Sequence, residues 1–131
     1  MQLADHLEIK EGICEFRPSG ESTLVEAATL ITSAFAYCRQ RSIGKLLINA
    51  TGLVGLPIPT LVERFLMVED WAQVAEGLVI GALVVHPEYI HSKKFAVQVA
   101  ADLGLKINVF PSEDEAFAWL SHSREPGPQR R

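Results

Sequence analysis

Two nearly unbroken apolar runs constrain this chain more than any other feature. Leu46–Ala50 and Leu78–His86 lack polar alternation, and each leads through a punctuated loop into a helix-like segment. Strands buried on both faces read this way, as they do in parallel sheets covered by helices. The longer run, ended by Pro87, is the natural central strand. The first run opens the stretch KLLINATGLVGLPIPTLVERF (45–65), in which a strand stops at Thr51-Gly52. A Gly/Pro loop follows, and a helix starts at Thr60. In open α/β sheets, binding sites collect in loops of this kind at the carboxyl ends of strands.

The remaining segments fit around these two. Leu3–Ile9 and Ile13–Arg17 read as short strands joined by Glu11-Gly12, a hairpin-type turn. Pro18-Ser19-Gly20 breaks the pattern. Leu24, Ala27, Ala28, Ile31, Ala34, Phe35 and Cys38 then recur at helical spacing over about 23–41. Thr23 and Glu26 form a capping-box pair at that helix's start. A second helix is expected over Thr60–Glu76 and a third from about Ser92 to Leu103, stopped by Gly104. A short strand, Lys106–Phe110, precedes a last helix capped by Ser112 and Glu115. The order ββαβαβαβα predicts a single α/β domain over 1–122 with a mixed, mainly parallel sheet, and a flexible tail over 123–131.

Composition excludes several classes. The chain has 131 residues, 12 Lys plus Arg against 16 Asp plus Glu, and a net charge of −4. The last nine residues, with three arginines and one glutamate, carry +2, which leaves −6 on the rest. Nucleic-acid binding needs a dominant basic patch, and this distribution provides none. No run reaches the ~18 apolar residues of a membrane span, and no signal-peptide order opens the chain, so a cytoplasmic protein is expected. The two cysteines, Cys14 and Cys38, read as small core hydrophobes.

No catalytic constellation stands out. Gly52 and Gly55 match neither phosphate-binding glycine pattern and read as shapers of a tight loop. His86, Glu88 and His91 are the one cluster of metal-ligand types, but their spacing matches no metal motif and no metal is expected. Ser33 and Ser42 lack the strand–turn–helix elbow of a hydrolase serine. Glu63, Glu69, Asp70 and Asp102 read as solvated helix faces. Thr60 with Glu63 is a second capping box. His6 and His122 lie near the termini and suggest nothing.

Helix 60–76 is the unusual element. Leu61, Phe65, Val68, Ala72 and Ala75 form a stripe expected to cover the sheet, while Met67, Trp71, Val74 and Leu78 form a second stripe beside it. At ~100° per residue the two span about half the helix circumference, more than one sheet contact needs. The surplus is a wide core face, a homodimer surface or the wall of a greasy pocket. Arg64 falls inside this apolar arc, placed to reach the helix's N-terminal rim and an anionic group there, or to snorkel into solvent.

The segments LLINATGL (46–53), ALVVHPEYI (82–90), KKFAVQVAADLGLKINVF (93–110) and EDEAFAWL (113–120) resemble the STAS fold of anti-sigma-factor antagonists. They are closer still to small bacterial STAS-like proteins that have been compared with CRAL-TRIO lipid-binding domains. The resemblance implies fold and no chemistry. Phospho-switch members carry Asp-Ser-Ser-Gly before the helix, where this chain has Leu56-Pro57-Ile58-Pro59-Thr60. The motif is absent, and only Thr60 stands near the acceptor's place.

The leading expectation is therefore a non-enzymatic STAS-like module, without cofactor, that acts through protein contacts as a homodimer or with another protein. A binder of a small lipophilic ligand is the alternative, its pocket set between the 51–59 loop, helix 60–76 and the loop 86–92. An enzyme using His86, His91 or Thr51 is a third reading. Asn49, Thr51, Thr60, Arg64, Met67, Trp71, His86 and His91 are the candidate ligand- or partner-binding residues.

Overall fold

The computed structural model describes residues 6–124; the expected start of the first strand at Leu3 and most of the expected tail lie outside the described residues. Among the described residues seven strands and four helices follow one another as β1 (Leu7–Lys10), β2 (Ile13–Phe16), β3 (Ser19–Glu21), α1 (Leu24–Gln40), β4 (Lys45–Asn49) and β5 (Gly52–Val54). Then come α2 (Leu61–Ala75), β6 (Ile80–Val84), α3 (Phe95–Asp102), β7 (Ile107–Phe110) and α4 (Glu113–His122), with a 3-10 turn at Pro87–Tyr89. The α/β alternation read from the sequence is present, and β3 and β5 are added to it.

The main sheet has the order β1-β2-β4-β6-β7, with β1 antiparallel and every other neighbour parallel. The hairpin turn expected at Glu11-Gly12 is formed with both residues at positive φ (54° and 80°), as a two-residue turn of matching twist requires. β3 and β5 make a separate parallel pair. Its strands approach so closely at Gly52 that a Cβ there would lie 3.0 Å from the Pro18 carbonyl oxygen and 3.2 Å from Ser19 Cβ. This explains why the expected loop at Pro18-Ser19-Gly20 pairs as a strand: the absent side chain lets the two backbones meet.

Each face of the sheet has its own core. Cys14, Phe16, Leu46, Ile48, Leu83 and Ile107 face Ile31, Phe35 and Cys38 of α1, Val68, Trp71 and Ala75 of α2, and Ala100 of α3. On the opposite face Leu47, Ile80, Ala82 and Val84 meet Ala116 and Leu120 of α4. Gly81 sits where Phe35 presses on the central strand; a Cβ at Gly81 would come 2.6 Å from Phe35 Cζ. Phe35 in turn stacks on Trp71, with ring centroids 6.1 Å apart. The strand order runs one way from β2 to β7, so the sheet has no topological switch point at which a crevice must open. A site at the strand ends has to be built by the helix layer.

The inward face of α2 differs from the expected one. Leu61 and Phe65, placed in the sheet-covering stripe, are exposed, as are Val62 (68%) and Leu66 (51%). The buried line runs through Val68, Trp71 and Ala75, with Arg64, Met67 and Val74 half-buried beside it. Trp71 decides the rotation: the largest side chain on the helix seats against Phe35 and draws its own stripe inward. The third helix begins at Phe95 and not at Ser92, because Lys94 takes a left-handed conformation (φ 49°) at its N-cap. There the Lys94 ammonium donates to Asn108 Oδ1 at 2.7 Å.

Candidate functional site

α2 roofs an apolar cavity of about 110 Å³ at the carboxyl ends of the parallel strands. Leu24, Ala27 and Ile31 of α1 form one wall, and Met67, Val68 and Trp71 of α2 form the roof. Leu53, Leu56 and Pro57 close it from the β4–α2 connection, and Leu83, Val85 and Val109 supply the floor. Local sequence rules place these residues. The Thr60 capping box starts α2 at the strand-end loop: Glu63 N donates to Thr60 Oγ1 at 3.1 Å, and Thr60 N to Glu63 Oε1 at 2.9 Å. From that start, 3.6-residue periodicity brings Arg64, Met67, Val68 and Trp71 onto one face.

The mouth is tied by hydrogen bonds between segments distant in sequence. Tyr89 Oη donates to the Leu56 carbonyl at 2.6 Å. Arg64 Nη1 donates to the Tyr89 carbonyl at 3.0 Å, and its Nε to the Pro59 carbonyl at 3.2 Å. The arginine therefore neither snorkels freely nor meets a carboxylate. It straps the loop before α2 to the turn after β6. Among the described residues no acidic group pairs with it, and it is the one charged side chain in the cavity's lining. A guanidinium bound to neutral carbonyls keeps its full positive charge beside an otherwise greasy space.

Trp71 is 3% exposed, and among the described residues its buried indole N–H has no hydrogen-bond partner.

The other expected site residues are placed elsewhere. Asn49 ends β4 and belongs to a polar cluster near the N-terminus of α4. Its Nδ2 donates to Glu113 Oε2 at 2.7 Å, while its Oδ1 accepts from Thr51 N at 3.0 Å and Thr51 Oγ1 at 2.6 Å. Arg17 donates to both oxygens of Glu113, at 2.7 and 3.1 Å, and to Glu15 Oε1 at 2.8 Å. The bond from Arg17, and then that from Asn49, hold the Glu113 carboxyl below its ordinary range, while Glu113 holds the Arg17 guanidinium above its own. A carboxylate held ionised in a two-pronged pair makes a clamp and a poor proton carrier. Glu15, only 4% exposed, is tolerated in the core because Arg17 compensates it. Nothing in the local sequence flags this cluster, since its members lie up to 96 residues apart.

His86 is exposed, with Nε2 3.2 Å from the Thr51 carbonyl oxygen. His91 accepts from Lys93 N through Nδ1 at 3.1 Å. The two rings have separate partners, neither lines the cavity, and among the described residues no three His, Cys, Asp or Glu side chains converge as a metal ion would need. Cys14 and Cys38 are fully buried core residues, as their sequence context implies; contact with Cys14 and burial push the Cys38 thiol up. Among the described residues no helix is long and apolar enough to cross a membrane.

The structure thus brings Arg64, Met67 and Trp71 together at one cavity, with Thr60 at the helix start beside it, and leaves Asn49, Thr51, His86 and His91 outside. Sequence reasoning missed Tyr89, whose signal is faint: an aromatic two residues past the proline that ends a central strand. No protein-family model matches this sequence, and no curated protein sequence matches it either.

Proposed function

We propose that this chain is a non-enzymatic STAS-like binding module that holds a small apolar or amphipathic molecule beneath α2. The observation that carries this reading is the cavity at the carboxyl ends of parallel strands, lined among the described residues by nineteen side chains with one charge. Small-molecule sites have this character, apolar walls with a few placed polar groups. Arg64 favours an anionic head at the mouth over a cationic one. The polar side chains near the space, Arg64 and Tyr89, are engaged with backbone carbonyls, an arrangement that positions a ligand and offers no general base. A thermal-shift series with medium-chain fatty acids and short isoprenoid alcohols tests the reading. Saturable stabilisation by at least one series is expected. No shift from either, with the protein folded and monodisperse, would argue against it.

A second reading rests on the outer face of α2. Leu61, Val62, Phe65 and Leu66 are exposed together with Ile58 of the preceding loop, and contiguous apolar surface of this kind marks contact sites. Self-association through this face would give the homodimer. Trp71, buried against Phe35, is then no probe of it; Leu66 is. Sedimentation at micromolar concentration should show a dimer that Leu66→Glu converts to a monomer. A wild-type monomer would remove this reading.

A further inference from the structure

We infer that the molecule held under α2 is a short-chain monocarboxylate, whose apolar tail fills the cavity while its carboxylate meets the Arg64 guanidinium at the mouth. This rests on the cavity reading and adds to it the charge and chemical class of the occupant's head.

The strap at the mouth leaves Arg64 with donors to spare. Nε donates to the Pro59 carbonyl and Nη1 to that of Tyr89, whereas Nη2 makes no hydrogen bond among the described residues. Nη2 is also within reach. Among the described residues that are not exposed, the buried side-chain polar atoms without a partner are Arg39 Nε and Trp71 Nε1. Nη2 of the half-buried Arg64 is not one of them, so it keeps access to solvent. Pro59 and Tyr89, which hold the guanidinium from two loops, both line the cavity, as Arg64 itself does. The free donors therefore stand at the rim, and a polar head can meet them without entering the greasy space.

The strap alone does not call for a charge. Bridging two carbonyls takes two N–H donors, which a neutral glutamine amide carries. Arg64 also stands in the first turn of α2, where the helix dipole disfavours a cation and favours an anion. No carboxylate of the described residues forms an ion pair with it. Glu63, the acidic residue beside it, is turned back into the Thr60 cap. A cation kept against its helix, beside apolar walls and without a counter-ion, matches an anion that arrives from outside. Guanidinium and carboxylate are both planar and complement each other in shape as well as in charge. One guanidinium balances one charge, so a carboxylate fits better than a doubly charged phosphate monoester. The enclosed volume sets the chain: an apolar cavity of ~150 Å³ accepts benzene, so about 110 Å³ takes roughly four or five carbons.

Hexanoate and hexanamide share one chain and nearly one shape and differ in charge, which makes them a matched pair of probes. Titrations followed by the backbone amide signals of α2 should give wild type about tenfold higher affinity for hexanoate, the ratio expected for one charge-assisted hydrogen bond. Arg64→Met should cost hexanoate about tenfold and hexanamide less, since its carbonyl is a neutral acceptor, so that the preference vanishes. Arg64→Lys should keep part of the preference, because the charge remains. Should Arg64→Met fail to fold, the ratios in wild type and Arg64→Lys decide. If hexanamide binds wild type as tightly as hexanoate, or if Arg64→Met weakens both alike and leaves their ratio unchanged, the inference is overturned and the cavity reading stands. Tighter binding of hexyl phosphate than of hexanoate would also overturn the carboxylate assignment. If none of these probes perturbs any residue around α2, the cavity reading falls with it.

Discussion

Filling the cavity should stabilise the protein and silence it as a binder. Ala27 is the position of choice: it is 4% exposed, sits one turn into α1, and lines the space. Ala27→Leu adds three carbons, and at ~0.8 kcal/mol per buried methylene the transfer gain is about 2.4 kcal/mol. The cavity sets an independent ceiling, since at ~24 cal/mol per Å³ the about 110 Å³ void is worth about 2.6 kcal/mol if wholly filled. Ordering the leucine costs about 0.5–1 kcal/mol, which leaves a net stabilisation of about 1.5 kcal/mol. Urea unfolding should show a higher midpoint with an unchanged slope. The melting temperature should rise by roughly 3–5 °C per kcal/mol for a chain of this size. Fatty-acid or isoprenoid stabilisation should vanish in the same variant. Overpacking of a tight site costs about 1–3 kcal/mol instead. A variant less stable than wild type would therefore show that no void exists at Ala27, and one that is more stable yet still responds to ligand would place binding elsewhere.

Gly81→Ala drives a methyl group to 2.6 Å from Phe35 Cζ, and because Phe35 is buried against Trp71, the strain should cost about 1–3 kcal/mol in chemical denaturation and alter Trp71 fluorescence. Thr60→Ala removes the cap of α2 and should lower stability by about 1 kcal/mol, with Thr60→Ser close to wild type; equal loss in both would mean that the cap is not what Thr60 supplies. Acid should expose the Arg17–Glu113 clamp. Glu113's carboxyl is held low in the folded state, so its contribution is fully present above the ordinary glutamate value of ~4.3 and is lost as pH falls through the lower folded value. Glu113→Gln should be destabilised at neutral pH and show a shallower loss of stability below ~pH 4; identical acid limbs would remove the clamp.

The alternation of strands and helices was legible because each element carries its own local signal. Leu46–Ala50 and Leu78–His86 advertise burial on both faces, and Thr23, Thr60 and Ser112 announce helix starts that are all observed. The neighbourhood of the site was legible for the same reason: a strand end, a loop and an over-apolar helix fall within 45–75. Rotation of α2 was not legible, since Leu61, Phe65, Met67 and Trp71 all score as apolar and only the Phe35–Trp71 contact chooses among them. Nor was the use of Arg64, because its acceptors Pro59 and Tyr89 lie on two loops whose approach is a tertiary fact. The β3–β5 pair and the Arg17–Glu113–Asn49 cluster escaped on similar grounds. Three-residue strands leave no periodicity, and ion pairs across 96 residues leave no pattern.

Native mass spectrometry of gently purified wild type and Ala27→Leu, run side by side, tests the central claim most directly. Wild type should carry a single stoichiometric added mass, below that of a phospholipid, which denaturation releases. Ala27→Leu should fly bare. Bare spectra for both proteins, with no adduct formed after incubation with medium-chain fatty acids or isoprenoid alcohols, would contradict a ligand site beneath α2.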